Sequence, residues 1–219
     1  MTIFVRSGLS LLLGGFLLAG CLPVENGVTV AAPQASDLPQ PADPAVYAAR
    51  ADGERMLPAI DVAAFHPALL RNRVAYATAE APGTIVIDTK GPFLYLVEPE
   101  GMATRYGIAI GREGFGWTGT GYIARTARWP GWTPPPEMIK RDPSLAKWAG
   151  GMPGGVSNPL GARALYIYFG GRDSGYRIHG TNTPKSIGWA ASSGCFRMLN
   201  QDVIDLYDRV GKGAKVVVM

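Results

Sequence analysis

Two cysteines, Cys21 and Cys195, and two histidines, His66 and His179, are the scarcest reactive side chains of this 219-residue chain. A thiol with a pKa of about 8.5 needs a neighbouring base or cation to act as a nucleophile at neutral pH. Cys195 stands in the string Ser192-Ser-Gly-Cys-Phe-Arg197. Gly194, directly before the thiol, lets the backbone turn sharply and aim consecutive N–H groups at one point, as an oxyanion hole requires. Arg197 places a permanent cation two residues on, suited either to favouring the thiolate or to holding a substrate carboxylate. His179 closes an apparent strand, Tyr176–His179, and precedes the turn Gly180-Thr-Asn182. It lies sixteen positions before Cys195 and is the expected base. No carboxylate is close in sequence to orient its second ring nitrogen, so a backbone carbonyl, that of Gly180, is the expected acceptor. The competing readings are a structural histidine at a strand end, an inert buried thiol, and a Cys21–Cys195 disulfide. His66, in a proline-flanked stretch, reads as a bystander. No CxxC or HExxH spacing occurs, so neither a metal nor a cofactor is expected.

These groups need a scaffold, and the composition indicates which kind. Charged residues make up 17% and hydrophobic ones 47%, with a net charge of +4, which excludes an acidic disordered chain and a polybasic nucleic-acid binder. Glycine (29) and proline (18) are both abundant, favouring a turn-rich β architecture. From Pro82 onward, β-branched and aromatic runs alternate with glycine: Thr84–Asp88, Phe93–Val97, Tyr106–Ile110, Tyr122–Thr126, Ala164–Phe169 and Ala214–Val218. They predict a mainly β, mostly antiparallel domain. A helix is expected after Asn200 as its cap, with Val203, Ile204, Leu206, Tyr207 and Val210 as the apolar stripe and Gly211 as the stop. Residues 129–159 form a long insertion rich in proline, glycine and tryptophan, either an ordered flap or a surface excursion packed by its own tryptophans.

The N-terminal part has a different character. Residues 1–20 carry one cation, Arg6, and an apolar run too short to span a bilayer comfortably, the pattern of an export signal. Leu18-Ala-Gly-Cys21 resembles the bacterial lipobox, which makes Cys21 the expected lipidation site and membrane anchor, with the mature protein facing the periplasm and sorted to the outer rather than the inner membrane. Residues 21–81 then divide into a disordered Pro/Ala-rich tether up to Pro44 and an extension of short helical pieces broken by Pro58 and Pro67. The charge is uneven: residues 82–219 hold 16 Lys and Arg against 10 Asp and Glu, whereas residues 22–81 hold 4 against 7.

The string Ile178-His-Gly-Thr-Asn182, Ser186-Ile-Gly188 and Ser192-Ser-Gly-Cys-Phe-Arg-Met-Leu-Asn200 resembles the active-site signature of L,D-transpeptidase (YkuD-type) catalytic domains. The likeness covers residues 82–219. Family members often have histidine in the place of Ser193 and Ile or Val in the place of Phe196. The resemblance implies a β-sandwich-like catalytic fold with one or two short helices. It also implies a cysteine acyltransferase in which Cys195 attacks a peptidoglycan stem tetrapeptide before its terminal D-alanine. The resulting thioester passes to an amine, with His179 as base, to give a 3→3 cross-link. Arg197 and Ser193 would contact substrate, and carbapenems would acylate the thiol. The acceptor stays open between a stem diamino acid, an outer-membrane protein or lipoprotein amine, and water. A catalytically dead wall-binding module and a papain-like protease are the remaining alternatives; the order of His before Cys and the β-rich pattern weigh against the protease.

Overall fold

The computed structural model describes residues 43–111, 117–192 and 194–219. The export-signal pattern, Cys21, the tether before Asp43 and Ser193 lie outside these residues.

Among the described residues, twelve strands and two α-helices follow in chain order: β1 (Arg50–Asp52), β2 (Arg55–Leu57), β3 (Asn72–Ala75), β4 (Ile85–Asp88), β5 (Phe93–Val97), β6 (Met102–Gly111), β7 (Gly119–Arg128), α1 (Pro136–Arg141), β8 (Arg163–Phe169), β9 (Arg172–His179), β10 (Ala190–Ser192), β11 (Phe196–Met198), α2 (Asn200–Arg209) and β12 (Lys215–Val218). The protein is mainly β, as the glycine-punctuated runs predict. The main sheet runs β10-β6-β11-β9-β8-β7-β12-β4-β5 and closes on itself because β5 also pairs with β6. Most ladders are antiparallel; β11 with β9, β12 with β4 and β10 with β6 are parallel.

Alternation along the strands builds the core. Ile85, Ile87, Leu94, Leu96, Ile108, Leu165, Ile167, Ile178, Phe196 and Val216 all lie in one buried cluster, joined by Val203 and Leu206 of α2. At about 25 cal/mol per Å² of apolar surface, this burial is the main stabilising contribution. The predicted helix is present, but Asn200 is not its cap. The cap position is Leu199 and carries no side-chain hydrogen bond. Asn200 instead accepts from the Ala162 amide at 2.9 Å and donates to the Thr181 carbonyl at 2.8 Å. Two loop backbones approach closely enough here to compete for the side chain that would otherwise cap the helix.

The short helical pieces expected before Pro82 are present as single 3-10 turns, and the stretch also contributes strands that were not expected of it. Pro44–Tyr47, Val62–Ala64 and Pro67–Leu69 are single 3-10 turns, β1 and β2 form a hairpin, and β3 pairs with β6 in the main sheet. The prolines start two of these turns and leave too few consecutive residues for a helix to propagate. His66 caps one turn, its Nδ1 accepting from the Ala68 amide at 3.2 Å. Where this stretch crosses β6, a Cβ on Gly107 would lie 2.2 Å from the Leu69 carbonyl oxygen, so glycine permits the crossing.

Candidate active site

The parallel ladder between β9 and β11 positions the reactive groups. Phe196 lies opposite Ile178 and Arg197 opposite His179. With a side-chain period of two, Ile178 and Phe196 face the core, while Arg177, His179, Cys195 and Arg197 share the opposite face. In the antiparallel neighbour β8, Tyr166 lies opposite Arg177 and joins them. All five residues line one cavity of about 680 Å³. Arg177 was not singled out from the sequence, although its place two residues before His179 in the same strand was the available signal.

The imidazole is oriented by backbone, as no nearby carboxylate does so. His179 is buried, and its Nδ1 lies 2.6 Å from the Gly180 carbonyl oxygen. A carbonyl can only accept, so Nδ1 carries the hydrogen and Nε2 holds the lone pair. Asn200 steadies this arrangement, because its two bonds tie residues 161–162 to residues 180–181; a Cβ on either Gly161 or Gly180 would sit 2.2 Å from its Oδ1. Burial pushes the imidazole pKa down to about 4; the Gly180 bond opposes this, while the charges of Arg197 and Arg177 add to it. The histidine is therefore neutral at neutral pH.

Cys195 is half-buried, and its Sγ is 3.8 Å from the Gly175 carbonyl, which a bulge in β9 presents to it. The bulge is held by Ser174, whose Oγ donates to Ile167 O and accepts from the Tyr176 amide. Burial raises the thiol pKa, against a backbone hydrogen bond from Arg177 and the charges of Arg177 and Arg197. The resting pair is thus a neutral thiol and a neutral imidazole. Gly194 has φ +114, a conformation that favours glycine, but its amide donates to Ser192 Oγ at 3.1 Å, and that hydroxyl donates to the Cys195 carbonyl. The expected direction of the Gly194 N–H into the cavity is therefore not what this structure shows. Arg177 is held in a fork by Asp173 at 2.7 and 2.9 Å and lies over the Tyr166 ring, with Arg125 also over that ring.

The insertion at 129–159 is an ordered flap that walls one side of the cavity. Trp132, Pro135, Met138 and Leu145 contribute to its wall, and a bridge between Trp132 and Met152 closes the two limbs on each other. Asn158 staples the returning limb to the carbonyls of Met152 and Pro153, and Asn182 Nδ2 ties Ser157 O to the loop after His179. The flap base is held from an unexpected direction. Asp52, on β1, takes a bidentate bond from the fully buried Arg163 at 2.7 and 2.8 Å and a third from Trp129 Nε1 at 2.8 Å. Arg55 of β2 reaches the Gly154 carbonyl. Among the described residues, no three of His, Cys, Asp and Glu gather as a metal site.

Residues 82–218 match the YkuD family, the L,D-transpeptidase catalytic domain. Among curated relatives, "Probable L,D-transpeptidase ErfK/SrfK" of Escherichia coli K12 is 35% identical over 144 residues, 62% of this chain and 43% of that protein. "Probable L,D-transpeptidase YbiS" of the same strain is 34% identical over 139 residues, 60% of this chain and 43% of that protein. The chain thus spans less than half the length of these two relatives. A solved structure from Brucella melitensis, named a probable carnitine operon oxidoreductase, is 49% identical and covers 73% of this chain and 99% of that one. Its TM-score is 0.49.

Proposed function

Because the chain belongs to the YkuD L,D-transpeptidase catalytic domain family, we propose that it is a cysteine acyltransferase acting on peptidoglycan tetrapeptide stems. The observation that supports this most directly is the β9–β11 register, which sets Arg177, His179, Cys195 and Arg197 on one wall of the same cavity.

In this mechanism the substrate carbonyl, at the L-centre of the third stem residue, enters beside Sγ. As the C–S bond forms, the thiol proton passes to the Nε2 lone pair of His179, which the Nδ1–Gly180 bond keeps aimed at the cavity. The imidazolium then protonates the departing nitrogen as the amide C–N bond breaks, releasing D-alanine and leaving a thioester. An acceptor amine attacks the thioester and gives its proton to His179, and the thiol is regenerated. Starting from a neutral pair, charge appears only during reaction, where Arg177 and Arg197 supply positive potential to the developing oxyanion. Attachment to the membrane through lipidated Cys21, on the periplasmic face of the outer membrane, belongs to the same reading.

The test is incubation of the chain with tetrapeptide-bearing muropeptides, read by mass spectrometry. D-alanine release and 3→3 dimers are expected from the wild type and neither from Cys195→Ala. Identical products from both chains overturn the assignment, release without dimers makes water the acceptor, and palmitate labelling that survives Cys21→Ala removes the anchor.

A further inference from the structure

The catalytic cavity does not end at its flap. Asn182 and Thr183 form part of its wall and also part of the wall of a second cavity of about 410 Å³, whose far side is Ile60, Asp61 and Phe65. Phe65 and Lys185 are in turn shared with a third cavity, of about 490 Å³, that ends on Trp189. The three cavities adjoin through these shared wall residues in a row that leads from Cys195 to Trp189, and one side of the outer two is built from residues 59–66, outside the family-matched 82–218.

Among the described residues, Trp189 is the most exposed large hydrophobic side chain, at 70%. Its backbone is held at both ends, the amide donating to Ser186 O and the carbonyl accepting from the Ile110 amide. The preceding Gly188, at φ +91, packs against Leu69, where a Cβ would be 2.7 Å from Cδ1. The indole is therefore presented on a fixed backbone, which reduces the entropic cost of binding to it. An exposed tryptophan on a held backbone, at the end of this row of cavities, is a surface for a partner with apolar faces and polar edges.

We infer that this row of cavities is a groove that holds the glycan strand from which the stem peptide hangs, with a pyranose ring of an N-acetylhexosamine stacked on Trp189. The inference rests on the stem-peptide reading of the cavity, since a stem seated at Cys195 must continue into the sugar chain that carries it. Charge selects the occupant. The outer groove has one ammonium, Lys185, and one carboxylate, Asp61, so it is balanced, whereas a second stem peptide would bring carboxylates that need cations. A neutral sugar polymer presents C–H faces to Trp189 and Phe65, and hydroxyl and acetamido groups to Asn182 and Thr183.

The experiment titrates the full chain with peptide-free β-1,4-linked N-acetylglucosamine hexamer by calorimetry and tryptophan fluorescence. Saturable binding is expected, weakened at least tenfold by Trp189→Ala and held within threefold by Trp189→Tyr, with circular dichroism confirming that both variants fold. No binding of the hexamer, or equal binding by Trp189→Ala, overturns the inference. A free tetrapeptide whose binding falls as far in Trp189→Ala marks the groove as a peptide site and overturns it too. Because the hexamer has no scissile peptide, the two readings fail separately. Lost glycan binding with D-alanine release intact removes the groove alone, and absent release with glycan binding intact removes transpeptidation alone.

Discussion

Two polar clusters in this molecule are both built around guanidiniums and do opposite things. At the cavity, two guanidiniums lie near a thiol and an imidazole that are both uncharged at neutral pH. Beneath α2, Arg71 contacts Asp202 at 3.8 Å and Asp205 at 2.6 Å, Tyr47 donates to Asp202 at 3.0 Å, and Tyr106 donates to Asp205 at 2.6 Å. Arg209 and Arg73 close on Glu98, whose pKa falls to about 2 as their bonds and that of Thr104 outweigh its burial. Burial raises buried Asp202 to about 7, against Arg71 and Tyr47. A displaced pKa therefore does not by itself mark a reactive site. In the second cluster each guanidinium is matched to carboxylates, and the outcome is a clasp between residues 47–73 and the domain. At the cavity the charges act on groups that can gain or lose a proton during a reaction.

The comparison predicts separable losses. His179→Gln should lower D-alanine release by about 10²–10⁴-fold while the melting temperature barely moves, measured by product formation and calorimetry. A large loss of stability would place His179 in the structural class. Asp52→Ala should do the reverse. It strands Arg163, whose side chain is 2% exposed, at a cost of about 3–5 kcal/mol in urea unfolding. Residual activity measured below the unfolding transition should also fall, because Trp129 loses its anchor at the flap base. Asn200→Ala removes two buried hydrogen bonds and should cost about 1–3 kcal/mol. Its larger effect should be on the rate, since it loosens the carbonyl that orients His179.

The smallest net effect is in the pH dependence of wild-type stability, where the clusters pull in opposite directions and largely cancel. The His179 pKa is depressed from 6.5 to about 4, so across that window the unfolded chain binds the extra proton and stability rises with pH. The Asp202 pKa is raised from 3.8 to about 7, so the folded chain holds the extra proton and stability falls with pH. Melting scans from pH 4 to 7 should therefore steepen upward in Asp202→Asn and turn downward in His179→Gln. The same slope in both variants would remove the distinction between the clusters.

Strand and glycine patterning made the domain after Pro82 legible, because alternation and β-branching are local properties. The pairing of His179 with Cys195 was legible from scarcity and from the glycine before the thiol. Arg177 could have been read from its spacing to His179. Asn200 misled: an Asn at a helix start is a cap unless something else claims its side chain, and two loops from elsewhere in the chain claim it. The stretch before Pro82 was the least legible, since its partners lie far along the chain, as Asp52 to Arg163 and Tyr47 to Asp202 show.

The sequence by itself determined which groups can react, where the longer strands after Pro82 run and which side of each is apolar, because side-chain chemistry and strand period are carried by neighbouring residues. Only the tertiary structure decided that β11 lies parallel to β9 in the register that faces Arg197 with His179, that residues from before Pro82 hold the flap, and that the Gly194 amide is taken by Ser192. Each of these depends on which distant backbone comes within hydrogen-bonding reach. Long-range packing settles that, where local preference cannot.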